Sequence, residues 1–234
     1  DVCSSDLAAR LETQNGHGRV GVIKLSDFLT EHIGCAAVPE RTDLSAWQLI
    51  PDNGAAAAVN GEIFRDASGI FTGERQRLLE YYPDELWYPR MAEAAVKIAQ
   101  YGQYNYGRCI RRGDYVAASL AYAGFIEQTM KLCFLVYREY MPYYKWVFRG
   151  AEDFNVLRET VERLRNITML PDTAENSAKK EMLIEQVCVD VGRELNRRGF
   201  TRTTEAFLQA HGDELMRAIR DVRLRNLHIM ADCD

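Results

Sequence analysis

The sequence predicts a mainly α protein, an antiparallel helical bundle preceded by a small α/β segment. Three observations carry this. From Thr72 onward, capping residues and helix stops alternate with helix-length stretches. One stretch, opening at Tyr115, carries no charge as far as Ile126 and so belongs in the centre of a bundle. Upstream, segments 19–25 and 61–66 have the β-branched or alternating pattern of strands.

Each element has its own signal. Residues 19–25 read as a buried strand. Ser26 caps a short amphipathic helix through about Ile33, which Gly34 stops. Residues 35–60 read as loop, ending in the run Ala55–Ala58, and 61–66 as a second strand closed by a turn at Ser68-Gly69. Thr72 caps a helix to Tyr82, interrupted by Pro83. Pro89 fits the first turn of a long helix to about Arg112, stopped by Gly113. Asp114 caps the central helix, 115–140, and Pro142 breaks the chain before Tyr143. Further helices are expected near 152–168, 174–198 and 204–230, with Gly212 a place for a break in the last. The short connections are those of a bundle.

Composition narrows the function. Of 234 residues, 47% are hydrophobic and 27% charged, as in an ordinary globule. A net charge of -5 argues against broad nucleic-acid coating but allows a local basic pocket. No apolar run approaches the roughly 20 residues of a membrane span, and no signal peptide is evident, so a soluble, cytoplasmic chain is expected. The six cysteines and four histidines form no metal-ligand spacing; reduced, buried thiols are the simpler expectation. Residues 1–7 read as a translated sequencing adaptor, so the chain is expected to lack its true beginning.

Arg108, Arg111 and Arg112 share one helix face by their i, i+3, i+4 spacing. Lys131 lies inside the apolar central helix, and Lys145 follows Tyr144 among aromatics. Cations in such surroundings need an anion. A di- or triphosphate serves, with Arg as fork and Lys as point charge; so do internal carboxylates such as Asp114 and Glu127. Glu127 reads as an ion-pair partner of Lys131 or as a general base. All twelve tyrosines lie between Tyr81 and Tyr144, as pocket wall or as half-buried packing. Arg223 and His228 stand in an R-x4-H arrangement on the expected terminal helix, similar to the ribonuclease bundles called HEPN domains, though Leu224 replaces their usual polar residue. The acidic pair Asp232 and Asp234 reads as frayed terminus.

The segments Gly61–Asp66, Tyr81-Tyr82-Pro83-Asp84, Gly102–Arg108, Arg112-Gly113-Asp114 and Tyr140–Trp146 occur in the order of a known bacterial family. The chain resembles domain-of-unknown-function family 4037 over roughly residues 19–150. The resemblance implies the region C-terminal to a polymerase-β-type nucleotidyltransferase domain, in which a Gly-Ser loop and paired acidic residues hold two Mg²⁺ and ATP. It makes residues 8–71 a remnant of the nucleotidyltransferase sheet and 72–234 a helical bundle that binds nucleotide and an unidentified acceptor. Arg108, Arg112, Lys131, Tyr144 and Lys145 are accordingly the expected nucleotide contacts, and the resemblance implies that Lys145 stands where the bundle meets the triphosphate, with Lys131 a weaker candidate. No Gly-Ser…Asp-x-Asp precedes the matched segments, so the chain alone is expected to be inactive. The alternative is a non-catalytic interaction module, or a HEPN-like subunit partnering a minimal nucleotidyltransferase. Strand 19–25 would leave an open sheet edge for self-association, and the bundle would stand without residues 1–71.

Overall fold

The computed structural model of the chain describes residues 22–154, 157–226 and 228–229. It is mainly helical, and no β-strand forms among the described residues. The adaptor-like residues 1–7, residues 19–21 and the acidic terminus lie outside the described part.

Both expected strands require correction. Over the described part of 19–25, Val22 and Ile23 are exposed and Leu25 already opens the first helix, α1 (Leu25–Ile33). Lys24, not Ser26, is its N-cap. Segment 61–66 is a loop held from the side. Arg75 donates to the carbonyls of Val59 at 2.6 Å and Gly61 at 2.9 Å, and Phe64 is 96% exposed. Alternation makes a strand only where a ladder and a buried face exist, and neither does here. Asp66 ends the loop by accepting from Thr72 N–H and Oγ1 and from Gly69 N–H, so it caps α4 (Ile70–Leu79) in place of Thr72. Those bonds, Thr72 N–H foremost, hold the Asp66 carboxyl below its ordinary range.

The supposed loop 35–60 contains α2 (Leu44–Gln48) and α3 (Asp52–Val59). Asp43 caps α2, accepting from Ala46 N–H at 3.1 Å, and Pro51 leads into α3. The alanine run is strong helix former. At Gly54 a side chain would overlap the His32 carbonyl, so glycine allows α3 to lie on α1.

α5 (Asp84–Ile98) begins five residues before Pro89, which sits inside it. Pro83 and the acidic first turn, Asp84 and Glu85, supply the start. The helix then widens into a π-helical segment, Ala99–Tyr106, and ends as α6 (Gly107–Arg111). Gly102 lets this segment lie close against the helices that carry Phe125 and Ile184: a Cβ there would overlap the Phe125 ring and approach Ile184 Cγ2 to 2.9 Å. Gly102→Ala is expected to lower stability by about 1–3 kcal/mol in urea unfolding through overpacking. An unchanged midpoint would show that the π segment yields freely.

Gly113 (φ 71°) stops α6 and Asp114 caps α7 (Tyr115–Tyr137), accepting from Ala117 N–H at 3.0 Å. α7 ends at Tyr137, three residues earlier than expected, and its C-cap Arg138 has φ 55°. Its C-terminal half is buried from Gln128 to Val136, but its N-terminal half is not enclosed: Tyr115, Val116 and Leu120 are 45, 75 and 70% exposed. The uncharged stretch therefore marks a central helix only over its second half.

After α7 come α8 (Tyr144–Gly150), a 3-10 turn (Ala151–Asp153), α9 (Arg158–Thr168) and α10 (Ala174–Arg197). The expected 204–230 helix divides into α11 (Gln209–Ala218) and α12 (Val222–Arg225), with the break at 219–221 and Gly212 inside α11. α5 is the strut, packed by α7 and α11; the π segment lies against α7 and α10, and α9 against α10. One core cluster runs from Leu29 in α1 to Leu215 in α11 and takes in Trp47 and Ile50. Cys133 and Cys188 are buried free thiols within it, and burial pushes Cys133 up to about 12. No helix among the described residues is long and apolar enough to cross a membrane.

Candidate functional site

Two turns carry non-glycine residues at positive φ, Tyr81 (69°) and Arg138 (55°), a conformation that costs of order 1 kcal/mol each. They are tied together: the Tyr81 hydroxyl donates to the Glu139 carbonyl at 3.2 Å. Arg138 pairs with Asp84 at 3.1 Å and lies 3.9 Å over the Trp87 ring. Sequence segments 81–84 and 140–146, far apart in the chain, thus meet at one end of the molecule.

Beneath this junction is a buried polar cluster. Tyr82 donates to Asp52 Oδ1 at 2.7 Å, and Arg90, 2% exposed, lies 3.5 Å from the same carboxylate and 4.2 Å over the Tyr82 ring. Arg90 also donates to the Gln48 carbonyl, and Arg41 to the carbonyl of Tyr81. Tyr140 packs against Tyr81 and Tyr82 and donates to Leu78 O at 2.9 Å. Burial pushes the hydroxyls of Tyr81, Tyr82 and Tyr140 upward, so all three remain neutral donors across the physiological range. Paired in this way, the cluster acts as a foundation for the segment that follows Tyr140.

That segment is α8, in which no side chain is buried. Tyr143, Tyr144 and Trp146 are 50, 70 and 57% exposed, with the two tyrosine rings 4.5 Å apart. Lys145 and Arg149 are exposed between and beside them. Gly150 brings the far end of α8 onto Phe134, and Arg165 covers Phe148 at 4.7 Å. Aromatic faces interleaved with cations can stack a base and meet its phosphates. A shallow cleft of about 260 Å³ beside α9 is lined by Arg158, Glu162 and Arg165, but Arg165 is already paired with Glu152 and Glu162.

Of the five nucleotide contacts expected from sequence, Tyr144 and Lys145 lie together on α8. Lys131 is buried within α7, 6% exposed. Arg108 and Arg112 sit at the opposite end: α7 has 23 residues, about 33 Å of helix, between them and α8. Arg108 and Arg112, expected with Lys145 as contacts of one nucleotide, therefore do not meet it on a single anion. Arg108 rests 4.5 Å over Tyr104, Arg111 pairs with Glu181 at 3.0 Å, and Arg112 is exposed. Glu127 is also exposed, so the burial that a general base there would use is missing. Arg223 lies in α12 and His228 beyond its C-cap Asn226, so no single helix carries the R-x4-H pair.

Sequence reasoning passed over Arg90, Asp52 and Arg138. An arginine amid the apolar residues of α5 was a signal for the first; nothing local announces the other two. It also passed over Lys180, 1% exposed, which donates to Asp172 at 2.6 Å under the Tyr122 ring. Burial pushes the Tyr122 hydroxyl up to about 12. Tyr81, Tyr82, Tyr106, Tyr122 and Tyr140 are thus packing, and the pocket-wall reading is left to exposed members such as Tyr143 and Tyr144. Among the described residues no three His, Cys, Asp or Glu side chains gather into a group that could hold a metal ion.

A family model described as a domain of unknown function, DUF4037, matches residues 47–147, from Trp47 in α2 to Val147 in α8. This is narrower than the 19–150 expected, and it contains both halves of the strained junction. No curated protein and no solved structure matches the chain.

Proposed function

We propose that this chain, which carries a DUF4037 domain over residues 47–147, is the helical, nucleotide-contacting part of a nucleotidyltransferase that transfers a nucleotide from ATP to an acceptor. The observation that carries the reading is α8, an exposed aromatic and cationic helix seated on a rigid buried cluster. Tyr144 and Trp146 offer faces to the base, and Lys145 and Arg149 offer charge to the phosphates. Two Mg²⁺ would neutralise the triphosphate and orient the reacting oxygens, held by carboxylates of another domain or subunit. In this reading α5 and α7 form an antiparallel pair at the centre of a bundle, residues 72–234 are the nucleotide- and substrate-binding part, and the protein works in the cytoplasm. The second reading, a non-catalytic interaction module, is favoured by the exposed apolar face of α7.

Tryptophan emission tests the nucleotide site directly. Trp47 and Trp87 are buried at 0 and 3% exposure, so a soluble ligand reaches Trp146 first. ATP is expected to quench the emission saturably, and Lys145→Ala to weaken binding about tenfold, or about 1.4 kcal/mol, with an unchanged Tm. Absence of quenching at millimolar ATP, or equal affinity in the variant, would remove α8 as the nucleotide site.

A further inference from the structure

We infer that Arg217, Arg220, Arg223 and Arg225 form a binding site for the phosphate backbone of a single-stranded nucleic acid. These four arginines fall within nine residues, at the end of α11, in the link after it and in α12. All four are exposed, and among the described residues none makes an ion pair. The carboxylates beside them are already engaged by backbone. Asp221 accepts from Arg223 N–H at 2.7 Å and Leu224 N–H at 3.1 Å, which fixes the start of α12. Glu214 accepts from Arg202 N–H at 2.6 Å and Thr203 N–H at 3.3 Å. Those bonds, with a smaller pull from His211 and Arg217, hold the Glu214 carboxyl below its ordinary range. Arg220, Arg223 and Arg225 are therefore the strongest open contacts for an anion. Ile219, 3% exposed, anchors the link, so the arginines stand on a fixed frame.

Side-chain type and place select the partner. Arginine forks bind phosphate through two parallel hydrogen bonds, and no lysine interrupts the run. A net charge of -5 keeps the attraction local to this patch. α11 runs antiparallel to α5. Leu208 N–H donates to Gln103 Oε1 at 3.0 Å, beyond the C-terminal end of α5, while Gly212 lies on Ala92 and Val96. Residues 219–225 therefore come to the N-terminal end of α5, which α12 touches. At that end Asp84 pairs with Arg138, and the aromatic helix α8 follows. Phosphate forks and exposed aromatic faces thus occupy one end of the molecule, the two components that single-strand binding combines. The inference rests on the nucleotide reading of α8 for the second component alone.

Fluorescence anisotropy of a labelled oligouridylate of about 12 nucleotides, measured on the full chain without ATP, tests the site. A Kd of about 10 μM at about 50 mM salt is expected, with log Kd rising by about 2–3 per tenfold increase in salt, as three or four phosphate contacts require. Arg220→Ala combined with Arg223→Ala should weaken binding at least about tenfold, lower that slope by about 1.4 and leave the Tm unchanged. The matching double change to lysine keeps both charges and should keep the slope. Failure of ATP to quench Trp146, with the oligonucleotide still bound through the arginines, would remove the nucleotide reading of α8 alone. No binding at about 1 mM protein, or an unchanged Kd in the alanine variant, would overturn the inference. So would tighter binding, per phosphate, of inorganic polyphosphate or of phosphatidylglycerol vesicles than of the oligonucleotide.

Discussion

Trp47→Ala is expected to destabilise the chain by about 3–5 kcal/mol, the cost of emptying a buried aromatic site. Trp47 is 0% exposed in a five-residue helix and meets Tyr82 edge-on at 6.1 Å. Such a short helix has little stability of its own, so the indole fastens α2 to the strut α5. Trp47→Phe separates packing from hydrogen bonding. The indole Nε1 is buried with no hydrogen-bond partner among the described residues, so the phenyl ring loses volume without orphaning anything. Phe should cost clearly less than Ala in urea unfolding; equal costs would mean that filling the site is not what Trp47 contributes. By the same packing, removal of residues 1–71 should abolish the cooperative transition. It would strip Leu29, Ile33, Trp47 and Ile50 from the core and leave Tyr82 and Arg90 without Asp52. A sharp, cooperative melt in the shortened chain would show that α5 to α12 fold independently.

Arg90→Met should cost about 3–5 kcal/mol, because it leaves the Asp52 carboxylate beside a buried apolar surface with its cation removed. Asp52 is only 17% exposed at its side chain and also accepts a hydrogen bond from the Tyr82 hydroxyl. The diagnostic variant is the double replacement, Arg90→Met with Asp52→Leu. Removing both charges leaves no buried ion uncompensated, so the pair should cost far less than the sum of its single changes. A double-mutant cycle by urea unfolding measures this coupling. Additive costs would show that Arg90 stabilises through its stacking on Tyr82 rather than through Asp52.

Both predictions concern contacts between residues 30 or more positions apart, and that separation decides what was legible. Punctuation was legible. Gly34 and Gly113 end helices at positive φ, Asp114 caps the central helix, and that helix begins at Tyr115 as its cap requires. The ordered segments that resemble family 4037 were legible too, and the family model falls on them. The alternation at 61–66 misled because period-two hydrophobicity describes a face, whereas a strand also needs a neighbour, and Arg75 and Asp66 hold this loop instead. The alanine run in α3 was misread for the opposite reason: its helix propensity was plain, but its burying partner, α1, is remote in pattern.

The candidate site divides in the same way. Lys145 among aromatics is a local fact, and the exposure of α8 gives it room to act. Whether Arg108 and Arg112 stand near it depends on the length of the helix between them, and the 23 residues of α7 hold them apart. The sequence by itself determined only some helix ends, as at Gly34, Gly113 and Asp114, because a glycine stop or an aspartate cap acts through bonds to near neighbours. Only the tertiary structure decided which polar groups share a space. Asp52, Tyr82 and Arg90 meet, and Tyr81 and Arg138 hold positive φ, because packing of remote helices outweighs the local cost of burying a charge or straining a turn.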